Sequence, residues 1–313
     1  MATEEASKPT GFQDDVLQLY PDDEIIQFVD ASPRSTYNCL RGVRFLSDNL
    51  VAKWYRDDEF DDMIRAEEVA VGLGVRVPGT KRVVKYQKGV WCIMDRVHGA
   101  TLEEAWPDLG WIQTFRLALQ LRRWIWSLRS VTSNVVGSLA TGKCRSFWLE
   151  DRFGLPPRAS PQDIVTFLSF WTRFVHIRNE AQASQNAKAG IVEVPPPQDR
   201  QVPVSEPLVL THHDLAPRNM MLDTSGSLWL IDWDRSGFYP AYFEYPAMYN
   251  FREYHKWSFF SRIRWHLFTG IAAGRYFRER KMLERIRGKF TRFSAGRRFE
   301  LLRNGGPTSK RVT

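Results

Sequence analysis

The stretch Thr211-His212-His213-Asp214-Leu215-Ala216-Pro217-Arg218-Asn219, followed by Leu230-Ile231-Asp232-Trp233-Asp234, decides how this chain is read. Its spacing is His-x-Asp, four residues, Asn, and later a short apolar run that ends in Asp. Residues 207–210 are expected to lead in as a strand, and 220–222 to lead out. Residues 223–227 are a turn by composition, and 227–231 a second strand. A hairpin of this kind can bring Asp214, Asn219 and Asp232 together at one edge.

That trio suits phosphoryl transfer from a nucleotide. One carboxylate must orient the attacking hydroxyl, while an amide oxygen and a second carboxylate hold the divalent metal that bridges the phosphates. Asp214 fits the first role, and Asn219 with Asp232 the second. Oxygen ligands at a hard cation suit Mg2+. Taken singly, each of these residues would more often cap a turn. Their order beside apolar strands favours the site.

The same segment, continuing as Ile231-Asp-Trp-Asp-Arg-Ser-Gly-Phe-Tyr-Pro240, resembles the aminoglycoside phosphotransferase and choline kinase-like family, in its branch common in fungi. Protein kinases usually carry Arg between His and Asp and Phe-Gly after the metal Asp. Here His213 and Trp233-Asp234 stand in those places, which favours the small-molecule branch. The resemblance implies an α+β, bilobal, protein-kinase-like fold. It has a small antiparallel-sheet N-lobe with one helix and a mainly helical C-lobe.

Composition is that of a globular chain: 43% hydrophobic, 26% charged, twelve Trp, and three cysteines without metal spacing. No apolar run is long enough for a membrane span and no signal peptide is evident, so a cytoplasmic enzyme is expected. The net charge of +8 is uneven: from Phe251 onward there are seventeen Lys or Arg against four Glu. A solvated basic face is the plainer explanation, and nucleic acid is not the expected partner.

In order along the chain, residues 1–20 read as a loose segment and 21–96 as the N-lobe. Strands are expected at 24–30, 37–46, 49–54, 81–85 and 89–95, forming a five-stranded sheet. Lys53 lies on the third strand, where a cation would hold the phosphates of ATP. The loop 31–36 lacks the glycines of a protein-kinase phosphate loop. Ser35, its neighbouring hydroxyls and Arg34 could substitute.

Residues 57–73 read as a helix, with Ile64, Val69 and Leu73 on its packed face. A Glu here should pair with Lys53. Both Glu67 and Glu68 are available, and Glu67 is preferred because Ile64 and Val71 bracket it. The resemblance makes 94–97 the hinge, with Met94 and Val97 covering the purine.

The C-lobe is expected over 97–293. Thr101 and Glu104 open a capped helix. Residues 110–131 look apolar nearly all round, as a central helix would. Ser160 and Pro161 start another helix, 185–206 is a loop, and Tyr242-Phe243-Glu244-Tyr245 matches the family's aromatic segment. Trp257, Phe260, Ile263, Trp265, Phe268 and Phe277 should face the core of the following helices. Residues 294–313 form a frayed basic tail.

In the catalytic loop His212 is expected to brace backbone. Arg218 is expected to act on the transferring phosphoryl group or to pair with a surface acid. Asp234, two residues past Asp232, would point the same way on a strand end. The expected activity is transfer of the γ-phosphoryl group of ATP, with Mg2+, to a hydroxyl of a small molecule. The rivals are a catalytically weak nucleotide- or partner-binding relative, a nucleic-acid binder using the basic tail, and, last, a protein kinase.

Overall fold

The computed structural model describes residues 11–33, 42–149, 155–186, 207–251 and 256–292. In chain order the elements are α1 (Asp22–Ala31), β1 (Val43–Phe45), β2 (Leu50–Arg56), α2 (Asp57–Gly72), β3 (Thr80–Tyr86), β4 (Gly89–Asp95), β5 (Gly99–Thr101), α3 (Leu102–Ala105) and α4 (Trp111–Arg129). There follow β6 (Thr132–Ser133), α5 (Pro161–Asn186), β7 (Leu208–Thr211), β8 (Met220–Asp223), β9 (Leu228–Leu230), β10 (Gly237–Tyr239), α6 (Glu244–Ala247), α7 (Phe259–Ala272) and α8 (Phe277–Arg292). The strand pairs are antiparallel throughout. The α+β class with antiparallel sheets and a helical C-terminal part, expected from the sequence, holds, but residues 21–96 carry two helices, α1 and α2, where one is expected.

The chain divides into two compact units. The first comprises 1–127, 214–234 and 247–272; the second comprises 128–213, 235–246 and 273–313.

In the first unit the main sheet has four strands, in the order β1-β2-β4-β3, rather than the expected five. Residues 24–30, expected as a strand, belong to helix α1. Pro21 precedes three first-turn acids, Asp22, Asp23 and Glu24, which is a helix-start signal. Ile25 and Val29 are buried one turn apart. The run was apolar enough to pass for a strand, but its period is helical. The next expected strand, 37–46, is seen as Val43–Phe45, and residues 37–41 of it lie outside the described residues.

Side-chain alternation gives the sheet two working faces. Leu50, Ala52, Trp91 and Ile93 pack with Ile25 and Val29 of α1 and with Leu17. The segment 11–20, expected to be loose, is thus docked here: Arg82 donates to the Leu17 carbonyl at 2.6 Å and to Asp22 at 2.7 Å. Lys53 and Tyr55, one residue out of phase with Ala52, lie on the opposite face, where α2 packs on β2 and β4. The buried side of α2 is Met63, Ala66, Glu67 and Ala70. It is not the expected Ile64, Val69 and Leu73 side.

A three-stranded sheet, β5-β8-β9, completes the first unit around the hairpin. Thr101 and Glu104 form the expected capping box. Helix α4 departs from expectation. Leu117, Leu121, Trp124 and Ile125 are buried, but Trp111, Ile112, Phe115, Leu119 and Trp126 are exposed. Its circumference carries one core stripe and one outward apolar stripe. Trp257, Trp265 and Phe268 are buried as expected around Trp106, whereas Phe260 and Phe277 are exposed.

The second unit carries the sheet β10-β7-β6 and an aromatic core. Phe167 and Trp171 of α5 meet Phe290 of α8. Ser160 and Asp163 cap the start of α5 reciprocally.

The hairpin is fixed to the unit by close backbone approach at Gly99. A Cβ there would lie 1.8 Å from the Leu222 carbonyl oxygen across the β5–β8 ladder. Gly99→Ala is expected to cost about 2–3 kcal/mol in urea unfolding through overpacking. Gly110→Ala, where a Cβ meets nothing within 4 Å, should be near neutral.

Candidate active site

The hairpin β8–β9 sets the spacing of the expected metal-side pair. Met220 lies opposite Leu230 in the ladder, and the Ile231 N–H donates to the Asn219 carbonyl at 3.0 Å. Asp232 is therefore one residue beyond a direct backbone bond to Asn219. The turn that closes the hairpin is held by Asp223. Its carboxylate accepts the Ser225 and Ser227 amides at 2.9 and 2.8 Å and the Trp229 indole N–H at 2.9 Å. These bonds, the Ser225 hydroxyl foremost, hold the Asp223 carboxyl at about 2.

Asp232 does not lie on a strand end, as expected, because β9 stops at Leu230. Its backbone is left-handed, with φ 69°. Simple strand alternation therefore does not relate Asp232 to Asp234. Asp234 does still act electrostatically on Lys53.

Lys53 hydrogen-bonds to Asp232 through its ammonium group and sits 4.7 Å from the centre of the Tyr55 ring. Burial works against its charge, but Asp232, Tyr55 and Asp234 outweigh this and raise its pKa well above the ordinary lysine value. Tyr55 was not singled out from the sequence. Its position two residues from Lys53 on one strand was the signal that could have found it.

Glu67 is buried beside this pair, and Glu68 faces solvent, where Arg65 bonds to it at 2.9 Å. Glu67, the preferred partner of Lys53, is the buried one of the two, but the ion pair of Lys53 is made with Asp232, and Val71, expected to bracket Glu67 on the packed face, is exposed. Burial pushes the Glu67 carboxyl up to about 8, with Lys53 opposing the rise and Asp232 adding to it.

Asp214 is buried, and Arg218 reaches both of its carboxylate oxygens, at 2.8 and 2.6 Å. The acid that Arg218 meets is thus the candidate base itself rather than a surface group. Its other branch donates to the Asn250 carbonyl at 2.7 Å. Asn219 donates from Nδ2 to the Asp214 carbonyl at 2.8 Å and to its carboxylate at 3.0 Å. With Nδ2 so committed, Oδ1 is the remaining face of the amide. A carboxylate and an amide oxygen form a hard, sparse donor pair of the kind that suits Mg2+ with its retained waters.

The loop before Asp214 belongs to the second unit. Glu244 there accepts the His212 and His213 amides at 2.8 and 3.0 Å. His213 has φ 67°, stacks on Tyr239 at 4.1 Å, and places Nε2 2.7 Å from Ser146 Oγ. Burial, then Arg235 and His212, lowers its pKa to about 3, so the ring is neutral.

Met94 pairs through β4 with Val51 and Thr80, and Val97 follows half-buried. Two amides of this expected hinge are already committed: Asp95 to the Gly79 carbonyl and Arg96 to the Asn49 carbonyl. Ser35 lies outside the described residues.

An antiparallel sheet carrying a lysine, helix α2 with an inward Glu, and a hairpin with Asp, Asn and Asp make up the residue set that phosphotransferases of protein-kinase-like fold use. Residues 149–282 match the model of the phosphotransferase enzyme family, in agreement with the resemblance read from the sequence. The matched segment contains Asp214, Asn219 and Asp232 but not Lys53.

Solved structures similar to the chain include aminoglycoside phosphotransferase APH(4)-Ia, at 13% identity, 91% coverage of each chain and TM-score 0.48. APH(3'')-Id from Streptomyces rimosus, in complex with ADP and streptomycin, is 15% identical, covering 87% of this chain and 99% of that one at TM-score 0.46. The streptomycin–ATP complex of APH(2'')-IIa is 14% identical, with 90% and 97% covered at TM-score 0.46. No curated protein matches the chain.

Because Glu67 takes up a proton on folding, it opposes stability as pH rises. Its contribution is full below the ordinary value of 4.5 and is lost progressively up to about 8. Glu67→Gln should flatten the pH dependence of unfolding free energy across that window. The parent slope should reach up to ~1.4 kcal/mol per pH unit from this group.

Proposed function

We propose that this chain transfers the γ-phosphoryl group of ATP to a hydroxyl of a small molecule. The observation that carries the reading is the convergence, within one compact unit, of Lys53 with Asp232 and of Asp214 with Asn219. Lys53 holds nucleotide phosphate, kept in place by Asp232 and by the Tyr55 ring beside it. Asp214 accepts the hydrogen bond of the acceptor hydroxyl and orients its lone pair toward phosphorus. Arg218 is a positioning residue: by gripping both carboxylate oxygens it fixes the direction in which Asp214 can accept. Met94 and Val97 flank the purine.

Asn219 and Asp232 would hold Mg2+, which neutralises charge on the phosphates when bound. The Lys53 ammonium also lies against Asp232. Catalysis on this reading is positioning and electrostatic stabilisation, with no covalent enzyme intermediate.

The acceptor is a neutral or anionic alcohol rather than a polycation. In support, α8 lies in the C-terminal region where the resembled family places its acceptor, and it carries seven Lys or Arg against two Glu. A panel of sugars, amino alcohols and aminoglycosides scored for ADP release should show turnover with the first class and little with the last.

Asp214→Ala should lower acceptor phosphorylation by a factor of about 100 to 10,000 while leaving nucleotide binding intact. Asp232→Ala should remove the Mg2+-dependent part of nucleotide binding, read by calorimetry. Phosphorylation that persists in purified Asp214→Ala protein would show that another group orients the hydroxyl.

A further inference from the structure

The outward stripe of α4 is made of large apolar side chains in helical register: Trp111, Ile112, Phe115, Leu119 and Trp126. Ile112 is 86% exposed and Leu119 59%. The stripe is separate from the core-facing one, so the packing of the first unit does not account for it.

Helix α7 repeats the pattern. Phe259, Phe260 and Leu267 are exposed, on the side away from the buried Trp265 and Phe268. Helix α7 is linked by side chains both to α4 and to the turn before it. In the turn before α4 the Trp106 indole donates to the Ser261 carbonyl at 2.9 Å, and Arg264 donates back to the Trp106 carbonyl at 2.9 Å. From α4, Arg122 donates to the Ile271 carbonyl at 2.8 Å. Arg122 lies within the outward stripe of α4 and stacks over Trp126 at 4.6 Å. Its reach to Ile271 ties the α4 stripe to the end of α7.

The charge on this face has one sign. Neither α4 nor α7 carries an acid, and of their six arginines Arg264 is buried while Arg122 and Arg129 bond to backbone carbonyls. Arg116 and Arg123 flank the α4 stripe. A second copy docked by the same face would set these arginines against each other, because a two-fold contact pairs like with like. An anionic surface would instead satisfy them while the Trp, Phe, Ile and Leu side chains leave water. Trp and Phe on the apolar side with Arg at the rim is the composition of a helix lying in the plane of a lipid interface. Among the described residues no helix is long and apolar enough to cross a membrane, so contact would be with its surface.

We propose that the outer faces of α4 and α7 dock this enzyme onto an anionic lipid surface. The inference does not depend on the acceptor or on the catalytic assignments.

The test is co-sedimentation of the full-length protein with vesicles of phosphatidylcholine, alone or with a minority of phosphatidylserine. Partition onto the anionic vesicles should be about tenfold stronger or more, and should weaken with added salt. Ile112→Glu combined with Leu119→Glu should reduce partition to the level of neutral vesicles. The midpoint of thermal unfolding should not move, since both side chains are exposed. Arg123→Gln, which leaves the apolar stripe intact, should lose about fivefold. The proposal is overturned by equal partition onto both vesicle types, or by equal binding of the Glu variant and the parent, which would assign binding to other basic residues. It is overturned equally if the face mediates a dimer that the Glu variant dissolves, or captures an acidic protein without binding vesicles.

Discussion

The ammonium of Lys53, rooted in a four-stranded sheet, reaches the carboxylate of Asp232, just past a hairpin more than a hundred residues away in sequence. Two separately built parts of the first unit are joined there by opposite charges in a partly desolvated place. Most of what surrounds the pair follows from the need to keep both partners ionised. Tyr55 presents its ring to the ammonium, and Asp234 adds negative potential. Glu67, deeper in, bears the cost of burial itself and is the group whose proton affinity rises. A third fixed negative charge in so small a space would compete for the same cation, and a protonated Glu67 avoids that.

The second constraint is directional. Asp214 is held by one guanidinium nitrogen, Nη2 of Arg218, which donates to both carboxylate oxygens, and by the Asn219 amide. With Nη1 of the same guanidinium bound to the Asn250 carbonyl, the donor that Asp214 meets is fixed in place. Just before it, Glu244 clasps two successive backbone amides, and the neutral His213 ring lies flat against Tyr239. The loop thus enters Asp214 from backbone anchored by one buried acid. Its left-handed turn at His213 is one that glycine adopts more easily.

Much of this was legible in the sequence because the relevant signals are local. The hairpin, the capping boxes at Thr101 and Ser160, and the start of α2 are each written within a few residues. Asp214, Asn219 and Asp232 were legible together because their spacing is constrained by one hairpin. What failed did so where burial, rather than period, decides. Residues 24–30 are apolar enough for a strand, and only the period of Ile25 and Val29 against the core separates the two readings. The outward face of α4 looked like core because composition does not report which side meets water. The partnership of Arg218 with Asp214 needed the chain's turn through Pro217 to be seen, since a loop has no fixed side-chain phase.

The Asn219 carbonyl and the Ile231 amide are joined by a single backbone bond, with the ladder of Met220 and Leu230 directly behind it. The distance between the groups at either end of that bond is therefore set by how many residues the tip between Asp223 and Leu228 contains. Adding or deleting one residue there would rotate every later side chain to the opposite side of the ribbon, and Asp232 with it. The tip can be rewritten letter by letter, but its count of residues is as much a part of the catalytic apparatus as any side chain.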